Sequence, residues 1–300
     1  MAHPAQPAPT PFPAATARRL RRPDGVTLAC SQHGEGGQPV LFAHGFGQTR
    51  QAWGGSAQAL AAAGFAALTL DSRGHGESDW NPVDLAYSME QFADDLCAAA
   101  DSFERPPILV GASMGGLLGL FSESRRPGLF RALVMVDVTP RWESAGVERI
   151  LGFMGTHPDG FDDLDHAADA IAAYLPHRQR KTPEQLRGLL TAGEDGRLRW
   201  HWDPRLLAEI GHGGERYQKD LVDAARSLRL PTLLVSGGRS DIVSERTVDE
   251  FLALVPHARH QRIDEATHMV VGDRNDLFTD TILDFLSAVT SSPASTGASP

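Results

Sequence analysis

The sequence predicts an α/β fold, a mostly parallel, doubly wound sheet with a helical cap inserted into it. Three observations predict this. Short apolar runs rich in Val, Leu and Ala recur at 39–43, 65–71, 108–112, 132–137 and 231–236, separated by stretches of helical character. That rhythm needs crossover helices, and so parallel strands covered on both faces. The run Ile108-Leu109-Val110 ends in Gly111-Ala112-Ser113-Met114-Gly115-Gly116 and passes at once into Leu117-Leu118-Gly119-Leu120-Phe121, which reads as strand, sharp turn and helix. Finally, the alternation breaks over residues 139–228, which are helical and polar-rich and contain no clear strand.

The elements follow in order. Residues 1–22, rich in Pro and Ala and then basic through Arg18, Arg19, Arg21 and Arg22, read as a disordered tail. Residues 26–31 alternate like an edge strand, Gly34-Glu35-Gly36-Gly37 turns the chain, and 39–43 is a buried strand. A short helix over 53–63 leads to the strand 65–71. Ser88, with Gln91 three residues on, has the form of a capping box opening a helix to about residue 103. Beyond Ser113 come the strand 132–137, the insertion, the strand 231–236, a helix over 245–254, a strand over 259–263 and a closing helix over 275–289. The core is therefore 23–138 with 229–289, the cap is 139–228, and 290–300, rich in Ser, Pro, Ala and Gly, is a second disordered tail. A long insertion at the carboxyl end of a strand sits over the crevice where open α/β sheets bind ligands.

Composition narrows the partners. With 41% hydrophobic residues in 300, the chain can bury one large core and an inserted subdomain. The net charge of −10, with both signs interspersed, gives no footprint for nucleic acid or an anionic membrane. No apolar run reaches a membrane span or a signal-peptide core. Cys30 and Cys97 lack the spacing of a metal knuckle or a redox pair, and two free, buried thiols favour a reducing, cytoplasmic setting. The expected partner is a small molecule with an ester or acyl group, without metal or cofactor.

The chemistry is concentrated at a few turns. A strand-to-helix turn around Ser113 forces a strained backbone there, so Gly111 and Gly115 must lack a Cβ. The helix that follows points its unpaired N–H groups to where a negative oxygen would develop, which makes the Met114 N–H one oxyanion donor. The loop His44-Gly45-Phe46-Gly47 supplies the second donor, the Phe46 N–H, with His44 structural. Ser72-Arg73-Gly74-His75-Gly76-Glu77-Ser78 forms a loop held by its own polar groups.

A serine hydroxyl needs a base at neutral pH, and neutral imidazole has the right pKa. The base needs a carboxylate to fix its tautomer. His268 follows the last strand and Asp241 follows the strand before it, so the expected triad is Ser113, Asp241 and His268. Asp137, which also ends a strand beyond the nucleophile, is the rival acid. Trp142, Phe153, Tyr174, Trp200 and Trp202 lie in the insertion. Most of these are expected in the cap's own core, and Trp142, Phe153 and Trp200, with Met269 beside the base, are the candidates to contact substrate.

From Val26 to Val289 the chain resembles the α/β-hydrolase superfamily. The residues carrying the resemblance are His44-Gly45-Phe46-Gly47, the loop from Asp71 to Ser78, Gly111-Ala112-Ser113-Met114-Gly115-Gly116, Gly238-Arg239-Ser240-Asp241 and Thr267-His268. The Ser-Met-Gly-Gly sequence is similar to the cofactor-free haloperoxidase and esterase branch, which implies esterase or perhydrolase chemistry. Epoxide hydrolases and haloalkane dehalogenases of this fold carry an aspartate at the elbow. Ser113 argues against both, although Tyr174 and Tyr217 superficially resemble the epoxide-opening pair. A lactonase or a carbon–carbon bond hydrolase would use the same residues, and a non-enzymatic ligand receptor shares the fold.

Overall fold

A computed structural model describes residues 15–176, 179–273 and 275–291. Its centre is an eight-stranded sheet of order β1-β2-β4-β3-β5-β6-β9-β10. The strands are β1 (Thr16–Arg21), β2 (Thr27–His33), β3 (Pro39–Ala43), β4 (Ala66–Leu70), β5 (Ile108–Ala112), β6 (Ala132–Val136), β9 (Thr232–Gly237) and β10 (Arg259–Ile263). From β4 to β10 every pairing is parallel, while β1–β2 and β2–β4 are antiparallel.

The apolar runs are two-faced. Leu41, Leu109, Leu133, Met135 and Leu234 enter one core, with α2 (Met89–Asp101), α3 (Met114–Arg125) and α7 (Arg205–Ser227). Val40, Phe42, Ile108, Val110, Val134 and Val235 enter the other, with α1 (Gly54–Ala62) and α10 (Asn275–Ser291). Successive strand side chains point to opposite faces, so a strand buried on both must be apolar throughout. Ser88 caps α2 through the expected box: its hydroxyl accepts the Gln91 N–H, and the Gln91 side chain accepts the Ser88 N–H.

Three expectations are corrected. The tail expected through Arg22 includes the strand β1, because Asp24-Gly25 closes a hairpin, with Gly25 at φ +92° and the Arg22 N–H donating to the Val26 carbonyl at 2.7 Å. The part of that tail before residue 15, and the second tail beyond residue 291, lie outside the described residues. Residues 26–31 accordingly lie in the second strand from the edge. The outermost strands, β1 and β10, expose Arg18, Arg19 and Arg21 and Arg259 and Arg262, charges that discourage further strand pairing.

The insertion between β6 and β9 is not helical throughout. It holds α4 (Ser144–Met154), α5 (Leu164–Tyr174), α6 (Pro183–Leu186) and α7, but also an antiparallel hairpin of β7 (Leu190–Ala192) and β8 (Leu198–Trp200). Three-residue strands are too short to show period-two alternation. A small core of its own, Phe161, Ala167, Ala168, Ile171, Leu186 and Leu190, holds this segment together.

Candidate active site

Ser113 stands between β5 and α3 at φ +47° and ψ −118°, a region that L-residues seldom occupy. Its surroundings enforce the strain. A Cβ on Gly111 would lie 2.5 Å from the carbonyl of Gly115, and one on Gly115 would strike the Ala43 carbonyl of β3. The Ser113 N–H donates to the Val136 carbonyl at 3.0 Å, tying the turn to β6.

Ser113 and His268 open onto one cavity of about 610 Å³. Behind His268 the carboxylate is Asp137. His268 Nδ1 lies 2.8 Å from Asp137 Oδ2, and the Asp137 side chain is fully buried. Asp137 also sits at positive φ, +49°. Its Oδ1 accepts the Gly237 N–H at 2.7 Å and its Oδ2 accepts the Ser240 hydroxyl at 2.5 Å. With Nδ1 donating to the carboxylate, Nε2 is left as the basic nitrogen.

The expectation that Asp241 meets the imidazole is corrected here. Asp241 forms an ion pair with Arg149 of α4, and its side chain is 21% exposed at the cavity edge. The turn after β9 spends Ser240 on Asp137 and carries the next residue away towards α4, where the Asp241 backbone packs against Gly146. The sequence alone assigns Ser240 no role. Its signal is position, one residue before the favoured aspartate and after two glycines that allow the chain to approach β10.

The loop after β3 is built to orient an N–H group. The Gly45 carbonyl accepts from His44 Nδ1 at 2.8 Å and from the Gln48 N–H at 3.1 Å. Because the peptide unit is planar and trans, fixing that carbonyl fixes the Phe46 N–H to point the opposite way. Phe46 and Met114 both line the cavity. His44 Nε2 accepts the Ser72 N–H at 2.9 Å, so the ring is a buried, neutral bridge, and burial lowers its pKa. Asp71 and Arg73 hold the loop of Ser72 to Ser78. Asp71 takes the Arg50 guanidinium and the Glu77 N–H, and Arg73, 2% exposed, is paired with Asp95 at 2.6 Å.

Trp142, Phe153, Trp200 and Met269 all line the cavity, as does Tyr174, while Trp202 is buried against Phe46. The expectation that most of Trp142, Phe153, Tyr174, Trp200 and Trp202 lie in the insertion's own core is corrected: four of the five line the cavity, and of these Phe153 and Trp200 also pack against that small core. Arg149, Arg239 and Asp241 bring charge to the lining. Among the described residues no group of three or more His, Cys, Asp or Glu side chains is arranged to hold a metal ion, and no helix is long and apolar enough to cross a membrane.

A strained serine at a strand–helix turn, on a mostly parallel sheet of this order, defines the class of α/β hydrolases. The family model described as the alpha/beta hydrolase fold matches residues 38–274, and the chain belongs to that family. Its relatives are diverse. It is 28% identical to 2-(acetamidomethylene)succinate hydrolase of Mesorhizobium japonicum, over 75% of this chain and 79% of that one. It is 27% identical to a non-heme chloroperoxidase of Kitasatospora aureofaciens, over 88% and 97%. It is also 27% identical to an esterase of Mycobacterium tuberculosis, over 85% of each chain. The crystal structure of E-2-(acetamidomethylene)succinate hydrolase superposes with a TM-score of 0.80 at 24% identity, covering 91% of this chain and 99% of that one, a likeness of fold.

Proposed function

We propose that the protein is a serine hydrolase that cleaves a small to medium carboxylic ester through an acyl-enzyme. Ser113 Oγ attacks the carbonyl carbon as His268 Nε2 removes its proton. Asp137, in place of Asp241, holds the imidazole and stabilises the imidazolium, and the N–H groups of Phe46 and Met114 receive the oxyanion. The proton passes from His268 to the leaving alkoxide. Water, deprotonated in turn by His268, then cleaves the acyl-enzyme and frees the acid.

The observation that carries this reading is the Asp137-backed imidazole opening onto the same cavity as a strained Ser113. A fluorophosphonate should label Ser113, and Ser113→Ala should abolish hydrolysis of p-nitrophenyl esters. Undiminished turnover in that variant overturns the proposal. Trp142, Phe153, Trp200 and Met269 are proposed to contact the substrate, whose apolar parts they suit.

A second reading has the chloroperoxidase relative behind it. Hydrogen peroxide replaces water as the acceptor, and the acyl-enzyme then yields a peracid, which oxidises halide without a protein-bound metal. Bromination in acetate with peroxide and bromide, lost in Ser113→Ala, distinguishes it.

A further inference from the structure

The segment between β6 and β9 hydrogen-bonds to the loop after β3 through the His201 side chain. His201 follows β8 and is 4% exposed. Its Nδ1 accepts the Gly76 N–H at 2.8 Å, which leaves Nε2 protonated and donating to the Gly47 carbonyl at 3.2 Å. The Gly47 N–H, in turn, donates to His75 Nε2 at 3.3 Å, and His75 Nδ1 lies 3.1 Å from the Arg73 carbonyl. Both polar backbone atoms of Gly47 are thus held by imidazoles, one from the loop after β4 and one from the insertion.

The neighbours of His201 extend the same attachment. The Trp202 ring tilts against that of Phe46 with centroids 4.9 Å apart, and the Asp203 N–H donates to the Gly74 carbonyl at 2.8 Å. Gly47 lies at φ +74°, where a glycine backbone is otherwise free to move. With both nitrogens of His201 engaged by backbone groups, and the ring absent from the cavity lining, its task is not proton transfer.

We propose that His201 is a positioning residue for the oxyanion donor at Phe46, so that the seating of the β7–β8 hairpin sets where that N–H points. The inference rests on the acyl-transfer reading of Ser113. A donor aimed in advance contributes because nothing reorganises as charge develops, and small displacements are expensive. The insertion then governs turnover and not only access.

The test compares His201→Leu, His201→Asn and His201→Gln on p-nitrophenyl butyrate, with kcat and KM measured separately. Gln can place an N–H near the Nε2 position and donate to Gly47; Asn is shorter and can serve only the Gly76 N–H. Leu and Asn should lower kcat by about tenfold to a hundredfold with KM changed by no more than about twofold, and Gln should recover most of the loss. Wild-type kcat in His201→Asn, or a loss confined to KM, overturns the positioning role. Should His201→Leu fail to fold, the Gln and Asn pair decides, since each keeps one of the two bonds. Fluorophosphonate labelling of the wild type separates the two failures. An unlabelled Ser113 removes the acyl-transfer reading, whereas a labelled wild type with an unimpaired His201→Asn removes only the role of His201.

Discussion

His268 and Asp137 meet at 2.8 Å, although they stand 131 positions apart in the chain. The contact joins the turn after β10 to the end of β6, which neighbours β5, the strand that carries Ser113. The carboxylate is buried and keeps two further donors, Gly237 N–H and the Ser240 hydroxyl. A buried carboxylate with all its partners in place can hold an imidazole in one orientation without large rearrangement.

Asp137 and Asp241 can be told apart directly. Asp137→Asn should lower kcat on p-nitrophenyl esters by about 10⁴-fold, because an amide no longer enforces the Nδ1–H tautomer or stabilises imidazolium. Asp241→Asn removes only a partly exposed pair with Arg149 and should leave kcat within about threefold. The opposite ranking would restore Asp241 as the acid.

Much of this was legible in the sequence, for reasons specific to each residue. The parallel core could be read because strands buried on both faces must be apolar at every position. The strained turn at Ser113 could be read because Gly111 and Gly115 are required where the backbones of Gly115 and Ala43 come close. Which carboxylate meets His268 could not be fixed, since Asp137 and Asp241 both follow strand ends and their difference is a matter of which way one turn leads. The strand β1 was hidden by its arginines, which mark an exposed edge as readily as a tail. His201 gave only a faint signal, a polar residue between Trp200 and Trp202, because its partners are backbone atoms of distant loops.

The elbow glycines make a prediction about stability. In Gly111→Ala the new methyl would press on the backbone of Gly115, which cannot rotate away. Overpacking of this kind should destabilise the fold by about 1–3 kcal/mol, read as a lower urea midpoint, and should displace Ser113 enough to lower kcat. An unchanged midpoint would mean that the turn is looser than its geometry requires.

The buried imidazoles make stability depend on pH. Burial, chiefly, holds His75 well below its ordinary pKa, helped by His44 and His201, and pushes His201 down to about 4. Asp71, buried nearby and paired with Arg50, acts in the opposite direction on His44 and His201. Since the folded values are depressed, the unfolded chain takes up protons first, and stability rises with pH in this range. The contribution is complete above about pH 6.5, shrinks as pH falls below that, and is gone once pH passes the folded value near 4. Urea unfolding at about pH 7.5, 6 and 5 should show falling stability, with a shallower fall in His201→Gln. Equal slopes in the two proteins would show that His201 is not part of the dependence.

Phe153 offers a test of how the cavity limits substrate length. Its ring stacks on Tyr174 with centroids 4.0 Å apart and planes within 5°. The two rings line the main cavity on one side and, on the other, an outer cleft bounded by His157 and His166. Both rings border both spaces, and Phe153→Ala is expected to join them. The ratio of kcat/KM for p-nitrophenyl octanoate to that for the acetate should rise by about tenfold, within the range that a few methylenes in an apolar pocket can supply. Acetate turnover should stay within about twofold, because an acetyl group has no further methylenes to place in the added space. A uniform loss across chain lengths would show instead that the stacked rings support the site without bounding it.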